Sequence, residues 1–383
     1  MNRRHLLTAL GAASLATPLF AQSSTQHGGQ NRNLKPLILI ELKGGNDGLN
    51  TWVPYANPAY YALRPSLAIA SEKVLKLNPT HGLHPSMAEM KTLWDDNALA
   101  IVQGVGYAQA NQSHFRSMDI WDTASNAQDT LQTGWLTRAL GLLGAQNYAA
   151  DAVLVGSNEL GPARGGARAV TVSNPQGFAA QAKLASQTQR PLPGALAHVA
   201  KVENDIIGAS VDIKPAAFQT QFVGAWAQVL RAASTVLVSK AAPVVRLTLG
   251  GFDTHRGQLG THASLLGQLS AGLDTLKAAM TEHGLWQDAL VLTYSEFGRR
   301  AAENGSQGTD HGTASVLFAT GGRAVKGIYG TPMPLDNLAG GTLAHTVEFR
   351  RVYATVLSKH WGMSAAQVRQ VLGAEFAPLG FVA

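Results

Sequence analysis

The chain has 383 residues, 45% of them hydrophobic and only 14% charged, so it can bury a large core, as one large α/β domain or two smaller ones, and disorder over most of its length is not expected. It contains no cysteine, which excludes disulfides and thiolate metal ligands. The formal net charge is +6, but there is no lysine/arginine run and no basic stripe with interleaved aromatic residues, so nucleic-acid binding is not expected.

The first 21 residues have the layout of a bacterial secretory signal. Arg3 and Arg4 precede an apolar stretch from Leu6 to Phe20, and the small residue Ala21 marks a cleavage position. The arginine pair predicts twin-arginine export and therefore a periplasmic or secreted protein. Because the apolar stretch is shorter than the ~20 residues that cross a bilayer, and no later stretch is long enough, no membrane span is expected after signal removal.

The segment from Gln22 to Lys35 is polar, rich in glycine and serine and without periodicity, which predicts a flexible leader. Removal of the signal takes away two of the 30 basic residues and none of the 24 acidic ones, so the net charge falls from +6 to +4. Twin-arginine export carries folded proteins, often after a metal has been loaded, and this gives a weak reason to look for a metal site.

The fold is predicted to begin with "PLILIELKGGNDGLN". Leu37 to Leu42 form a continuous apolar strand, followed by a glycine-rich turn that holds Asp47. A strand of this kind is typical of a parallel sheet with both faces covered. Further along, "HPSMAEMKTLWDD" predicts a helix and "ALAIVQGVG" a strand; the helical spacing in "SHFRSMDIWDTA" then places Ser113 or Gln112 near a helix N-terminus.

The second half of the chain alternates between helices and strands. Short strands are predicted at "DAVLVGS" and "ARAVTVS", whereas residues 175–215 lose the strand pattern and are interpreted as a helical or irregular cap. The helix "FVGAWAQVLRAASTVLVS" leads to the strand "PVVRLTLG", and "HASLLGQLSAGLDTLKAAMTEHG" leads to "DALVLTY". This alternation predicts one α/β domain over 36–383, with helices on both faces of a mostly parallel sheet.

Polar side chains follow several of these strands. They are Asp47, Ser113 with His114, Asp253 with His255, Glu296 with Arg299, and Asp310 with His311. Because ligands bind where the carboxyl ends of parallel strands meet, these side chains are expected to converge if their strands are neighbours. Carboxylates and imidazoles form a ligand set for Zn²⁺, Mn²⁺, Mg²⁺ or Ca²⁺. A hydroxyl near such a metal can attack phosphorus or sulfur, which predicts phosphoryl- or sulfuryl-transfer chemistry.

Five motifs taken together carry a family resemblance. They are "GGNDG", "SHF" at a helix start, "GGFDTH", "SEFGR" and "TDHG", behind a twin-arginine signal. In this order they resemble the exported bacterial family known as domain of unknown function 1501, which looks like a divergent branch of the alkaline phosphatase and sulfatase superfamily. The resemblance covers nearly the whole chain from Pro36 onward. It implies a three-layer α/β/α fold with a mostly parallel central sheet, of the alkaline-phosphatase type.

The resemblance also implies roles for individual residues. Asp47 matches the first metal-binding aspartate, and Ser113 stands where the superfamily has its nucleophile, although the residues around it match poorly. Asp253 and His255 are similar to an aspartate and a histidine after a later strand, but their spacing is shorter than in the phosphatase pattern.

The motif "SEFGR" departs from the superfamily pattern. Glu296 falls where an Asp-His pair usually ends a strand, and Phe297 takes the place of the histidine. His311 matches the final histidine ligand, with Asp310 beside it. The departure argues against a fully formed second metal site, so one metal, a weakened second site or no metal are all compatible with the sequence.

These features predict a periplasmic hydrolase of small anionic phosphate or sulfate esters that uses one or two divalent metal ions. The expected metal ligands are Asp47, Asp253, His255, Glu296 and His311. Asp310 is expected to be either a ligand or a partner that orients His311. Ser113 would attack the ester, and Arg299 or Arg116 would bind its anionic oxygens.

Simpler interpretations are available for the same residues. Asp47 is also a good turn residue, Ser113 an equally good helix N-cap, and Glu296 with Arg299 an ordinary ion pair one helical turn apart. The competing class is therefore a non-catalytic exported protein of the same fold that binds a partner or a glycan, and Phe297 in a ligand's place favours it. The oligomeric state is not indicated by the sequence.

Overall fold

The apolar run after Lys35 forms the central strand of the molecule. β1 (Leu37–Lys43) is buried along six of its seven residues. It lies between β8 (Val244–Gly250) and β9 (Leu290–Tyr294), and both are parallel to it. A parallel strand with both faces covered needs apolar side chains on both sides, which is why this run is continuous rather than alternating.

The computed structural model describes residues 33–144, 148–172, 216–338 and 340–383. The predicted signal peptide at 1–21, nearly all of the leader at 22–35 and the predicted cap at 175–215 lie outside the described residues. One compact unit runs from Asn31 to Ala383. Within the described ranges, no helix combines the length and the apolar character needed to cross a bilayer.

The described residues form one large sheet of nine strands. Besides β1, β8 and β9 it contains β5 (Leu99–Gly106), β6 (Ala152–Val155), β7 (Ala169–Val172), β10 (Ser315–Thr320), β11 (Gly327–Tyr329) and β12 (Val347–Glu348). The strand order is β11-β5-β10-β9-β1-β8-β6-β7, with β12 paired to β5. A small second sheet has the order β2 (Trp52–Val53), β4 (Gly82–Leu83), β3 (Leu75–Lys76).

One strand of the large sheet runs against the others. β10 is antiparallel to both of its neighbours, β5 and β9, whereas every other pair is parallel. No crossover helix separates β9 from β10 in the chain, and a parallel return would require one. The predicted mostly parallel sheet is confirmed, with β10 as the exception. The loop before β10 therefore lies at the edge where the other strands end.

Helices cover both faces of the large sheet. α3 (Ala88–Asp95), α6 (Ala227–Val238) and α7 (Gln258–Glu282) pack on one face. α4 (His114–Thr123), α5 (Trp135–Leu143), α8 (Phe349–Thr355) and α9 (Ala365–Leu372) pack on the other. Two short helices, α1 (Gly48–Thr51) and α2 (Pro58–Leu63), follow β1. This is the predicted three-layer α/β/α arrangement.

Alternation along β1 divides the core between the two faces. Leu37 and Leu39 join the hydrophobic cluster beneath α4, α5, α8 and α9. Ile38 and Ile40 join the cluster beneath α3, α6 and α7. Because successive side chains of a strand point to opposite faces, one apolar strand supplies both cores.

A buried group of charges interrupts the core on the α4 face. Arg246 Nη2 lies 2.6 Å from Glu41 Oε2, and both side chains are almost fully buried. Arg246 Nε donates to the hydroxyl of Tyr294 over 2.8 Å. Burial raises the pKa of Asp122, on α4, to about 7, and the charge of Arg246 only partly opposes this rise. These side chains place several charged and polar groups inside an otherwise apolar layer.

Replacing Arg246 by methionine is expected to lower the free energy of unfolding by about 3–5 kcal/mol, because Glu41 would be left buried with only the Thr248 hydroxyl and no cationic partner. Urea unfolding followed by circular dichroism measures the change. Arg369→Met is the control, since Arg369 pairs with Glu375 at the surface and the side chain of Arg369 is 65% exposed; it should cost no more than about 0.5 kcal/mol. Equal losses in the two variants would contradict the expectation.

The pH dependence of stability gives a second prediction. The folded state raises the pKa of Asp122 from its ordinary 3.8 to about 7, so the native protein holds this proton more tightly than the unfolded chain. The stability that this proton contributes is complete below about pH 4 and is lost as the pH rises towards 7. Relative to wild type, Asp122→Asn should therefore gain stability between pH 4 and 7. Urea midpoints across this range test it, and a constant difference would refute it.

Candidate metal centre

Four loops meet at one edge of the large sheet. Three of them follow β1, β5 and β8, and the fourth joins β9 to β10. Because all of these strands except β10 end at this edge, and β10 begins there, the polar residues on the loops come close together. The convergence expected from the sequence is thus present for Asp253, His255, Glu296, Asp310 and His311.

The buried guanidinium of Arg299 ties these loops to one another. Its Nε donates to the carbonyl of Gly45 over 2.7 Å, and its Nη1 to the carbonyl of Thr309 over 2.9 Å. Its Nη2 donates to the carbonyl of Phe252 over 2.9 Å and to Asp253 Oδ1 over 2.7 Å. Arg299 was predicted to bind the oxygens of a substrate. In the structure these donors hold the loops instead, and the side chain is buried.

Three histidines at this edge share one hydrogen-bonding pattern. In each ring Nδ1 faces an oxygen acceptor: Glu296 Oε1 for His114 at 2.8 Å, Asp310 Oδ1 for His255 at 3.1 Å, and the Gln112 carbonyl for His311 at 2.7 Å. A carbonyl or a carboxylate can only accept, so the network assigns the proton of each neutral imidazole to Nδ1. Each Nε2 atom is then left with a lone pair.

The Nε2 lone pairs converge with a carboxylate oxygen. His255 Nε2 lies 3.0 Å from His311 Nε2, and each lies 3.1 Å from Asp253 Oδ1. In the neutral tautomers, three acceptor atoms therefore face one another with no hydrogen between them. Such an arrangement is repulsive unless a cation or an additional proton is present. Ligand atoms at about 2.1 Å from one metal are roughly 3.0 Å apart at right angles and roughly 3.4 Å apart in a tetrahedron, so the spacing is close to that of metal coordination.

His114 completes the donor set. Its Nε2 lies 3.5 Å from Asp253 Oδ2, and one ligand atom from each of His114, Asp253 and His311 lies within 4.8 Å of the others. The side chains of Asp253 and His255 are 46% and 42% exposed. We call His114, Asp253, His255 and His311 the donor cluster; it is open to solvent on the side of Asp253 and His255.

The electrostatics of the donor cluster favour a bound cation. Burial alone would raise the pKa of Asp253, but the hydrogen bond and the charge of Arg299 oppose this rise, and the pKa is lowered to about 2. Hydrogen bonding to Glu296 raises the pKa of His114. The carboxylate of Asp253 is therefore ionised at neutral pH and can act as a ligand.

Two predicted ligands lie one step outside the donor cluster. Glu296 is buried and accepts from the Gly44 amide over 2.9 Å as well as from His114. Asp310 accepts from His255 and from Asn304 Nδ2. Asp310 was expected to be a ligand or to orient His311, but it orients His255. Carboxylates in these positions fix the rings of metal-binding histidines.

Asp47 does not join the donor cluster. Its buried carboxylate lies 2.6 Å from Arg64 Nη1 and accepts from Gln258 and from the backbone amides of Leu49 and Asn50. Burial would raise the pKa of Asp47, but the charge of Arg64 outweighs it and lowers the value. Asp47 caps α1, and the guanidinium of Arg64 provides the positive charge that a metal was expected to provide.

Ser113 and Arg116 lie on the same helix as His114. Ser113 is the N-cap residue of α4, yet its side chain makes no capping hydrogen bond and is exposed. Arg116 pairs with Asp119 and donates to the carbonyl of Ala127 over 2.9 Å, so it braces the loop after α4 rather than the donor cluster. The one member of the donor cluster that was not predicted as a ligand is His114. Its position, one residue past a predicted N-cap after a strand, was the available signal.

Phe297 packs against two histidines of the donor cluster. Its ring centroid lies 4.9 Å from that of His114 and 4.7 Å from that of His311. An apolar ring packed against two imidazoles limits their rotation but coordinates nothing. Across the described ranges, groups of three or more His, Asp or Glu side chains with ligand atoms this close are found within the donor cluster. The sequence that has Phe297 where the superfamily pattern has a histidine thus has one candidate metal centre in the described ranges, the donor cluster.

Comparison with known proteins gives a family and several distant structural similarities. The model of a family described as "Protein of unknown function (DUF1501)" matches residues 34–376. No curated protein sequence matches the chain.

Three solved structures illustrate the structural similarities. A protein in the alkaline phosphatase superfamily from Vibrio parahaemolyticus is 12% identical, with coverage of 91% of this chain and 72% of that one and a TM-score of 0.43. The phosphonate monoester hydrolase SpPMH from Silicibacter pomeroyi is 9% identical, with coverage of 90% of this chain and 78% of that one and a TM-score of 0.41. The lipoteichoic acid synthase LtaP from Listeria monocytogenes is 10% identical, with coverage of 89% of this chain and 76% of that one and a TM-score of 0.39.

Glu296→Gln is expected to weaken metal binding by about 10- to 100-fold, because the ring of His114 would lose its charged partner. Competition with a chelating dye measures the metal affinity. Glu375→Gln, at an exposed glutamate, is the matched control and should leave the affinity unchanged. An unaltered affinity in the Glu296 variant would show that His114 does not depend on this hydrogen bond.

Proposed function

This chain belongs to the DUF1501 family of proteins of unknown function, and we propose that it is an exported, metal-dependent hydrolase of phosphate or sulfate esters. One observation carries the proposal: three imidazole nitrogens and the Asp253 carboxylate converge on a solvent-exposed point beside a helix N-terminus with a free serine hydroxyl. Export is part of the proposal, and rests on Arg3, Arg4 and the apolar stretch behind them.

The donor cluster discriminates between divalent metals. Three imidazoles and one carboxylate suit Zn²⁺ best, with Mn²⁺ as a second choice. Mg²⁺ and Ca²⁺ prefer oxygen ligands and fit this set poorly. We therefore propose one ion, Zn²⁺ or Mn²⁺, held by His114, Asp253, His255 and His311. When bound, such an ion would supply Lewis acidity towards the oxygens of an ester.

Ser113 is the proposed nucleophile. Its backbone amide donates to Asn111 Oδ1 over 2.8 Å, which fixes the loop, and its Oγ makes no hydrogen bond with the described residues. A serine that served only as an N-cap would use this oxygen to bind a backbone amide of α4. Attack by Oγ forms a bond to phosphorus or sulfur while the bond to the alcohol breaks. The hydroxyl proton of Ser113 passes to solvent, and the alcohol leaves with a proton from solvent. Water then hydrolyses the serine ester, which returns the hydroxyl and releases the anion.

The start of α4 is proposed to bind the anionic oxygens. The first backbone amides of a helix have no partner within it, and the helix dipole makes this end positive. Because Ser113 does not cap them, the first-turn amides of the ten-residue α4 are available beside His114. They take the role that the sequence analysis gave to Arg299 or Arg116.

A second candidate function is a non-catalytic binding protein with a structural metal. Four protein ligands can fill a tetrahedral zinc site, as structural zinc sites require, and Phe297 leaves no further ligand beside the histidines. The exposure of Asp253 and His255 favours the catalytic alternative, because structural sites are closed to solvent. The two functions predict different effects on ester turnover when the Ser113 hydroxyl is removed.

The test compares Ser113→Ala and Asp253→Asn in the mature protein. Asp253→Asn should lose both the metal and the turnover of aryl phosphate or sulfate esters. Ser113→Ala should keep the metal and lose turnover by about a thousandfold or more. Elemental analysis and release of the aryl alcohol are the two measurements, after reconstitution with Zn²⁺ or Mn²⁺.

Asp95→Asn is the control for the acidic variant, since Asp95 forms a surface pair with Lys91. A wild-type protein that holds metal but turns over no ester, or a Ser113→Ala variant with full activity, would reject the hydrolase with a serine nucleophile. Metal without turnover in every variant would favour the binding protein.

A further inference from the structure

Two arginines without side-chain partners lie in the loops of the donor cluster. Among the described arginines, only Arg231, Arg256 and Arg300 make no side-chain hydrogen bond or ion pair. Arg231 stacks on Phe222, 5.8 Å from its ring centroid. Arg256 and Arg300 are exposed and remain free. Guanidinium groups carry five donors and are the preferred partners of phosphate-like anions.

Arg256 directly follows His255 on a tightly held segment. The carbonyl of His255 accepts from Asn304 Nδ2 over 3.0 Å. A Cβ atom on Gly308 would lie only 2.5 Å from the Arg256 backbone nitrogen, so the two loops touch at this point. The backbone from which the Arg256 side chain extends is therefore fixed next to a residue of the donor cluster.

Arg300 is hydrogen-bonded through its backbone to Asp310, the partner of His255. Its amide donates to the carbonyl of Asp310 over 2.9 Å, and its carbonyl accepts from Arg64 Nη2 over 3.0 Å. The backbone from which the Arg300 side chain extends is therefore fixed beside the His255–Asp310 pair.

The charges around the donor cluster indicate which anion would fit. The three carboxylates of Asp253, Glu296 and Asp310 and the guanidinium of Arg299 sum to a charge of −2, and the neutral histidines add nothing. A divalent ion cancels this charge. Arg256 and Arg300 then leave the site with an excess of +2, which matches the two negative charges of a phosphate monoester above its second pKa of about 6.

We propose that Arg256 and Arg300 form an anion-recognition pair that makes the site selective for dianionic phosphate monoesters over monoanionic sulfate esters and phosphodiesters. This inference rests on the proposed function, since it names the substrate class of the same site. The guanidinium groups would bind the nonbridging oxygens, whereas Arg299 and Arg116 hold the protein together.

The experiment uses the metal-loaded mature protein at pH 8 and the double variant Arg256→Gln/Arg300→Gln. The substrates are an aryl phosphate monoester, the corresponding methyl aryl phosphodiester and the aryl sulfate. The double variant should lower kcat/KM for the monoester by about 100-fold and for the two monoanions by about tenfold, so the selectivity ratio falls about tenfold. Comparing ratios between proteins removes the different intrinsic reactivity of the three esters.

Binding of inorganic phosphate, measured by calorimetry, provides a readout that needs no turnover. Its dissociation constant should rise by tenfold or more in the double variant, in both the metal-loaded and the metal-free protein, while metal content stays at the wild-type level. Arg231→Gln is the matched control, because Arg231 also lacks a hydrogen bond but lies on α6 against Phe222. It should change neither the ratio nor phosphate binding.

The outcomes separate this inference from the proposed function. Loss of phosphate binding in the double variant, with no ester turned over by the wild type, keeps the anion pair and overturns the hydrolase. Turnover by the wild type with an unchanged selectivity ratio and unchanged phosphate binding overturns the anion pair and keeps the hydrolase. Equal phosphate binding in wild type and double variant overturns the anion pair whether or not metal is present.

Discussion

The buried guanidinium of Arg299 is the constraint on which the site depends. It binds carbonyls of the loops after β1 and β8 and of the loop before β10, and it pairs with Asp253, a member of the donor cluster. Glycine is required where the first of these loops approaches, because a Cβ on Gly44 would lie 2.4 Å from the amide of Asp253, and Gly44 has a φ of +122°. One buried cation thus organises three loops through their backbone, where side-chain changes disturb it least.

The carboxylates around Arg299 lie at two distances from the solvent-exposed face of the donor cluster. Asp253 faces solvent and the histidines, whereas Glu296 and Asp310 stand behind His114 and His255 and hold their rings. Arg64 neutralises Asp47 on the neighbouring helix, so that carboxylate is removed from the set of ligands. A site with fewer free carboxylates and more imidazoles favours a transition metal such as zinc over magnesium or calcium. In the proposed metal centre, the partner of each acid would therefore influence which metal is preferred.

Much of the site could be found in the sequence because chemistry and position coincide. Asp253 and His255 stand just past an apolar strand, so strand prediction places them at the edge where parallel strands end. His311 stands just before another strand and reaches this edge because β10 is antiparallel to its neighbours. His114 was named but not chosen, because a histidine in the first turn of a helix more often packs or pairs locally. The role of Arg299 could not be read, since an arginine that binds backbone carbonyls and one that binds a substrate look alike in a sequence.

The sequence by itself determined the layer architecture, since continuous apolar strands alternating with helices bury their side chains in only one way. It also determined which polar residues lie at the edge where strands end. Only the tertiary structure decided which carboxylates are free, because pairing with Arg64, Arg299 or a histidine ring depends on contacts between loops far apart in the chain. Hydrophobic periodicity is local and survives in the sequence, whereas the protonation and partners of a buried charge arise only after folding.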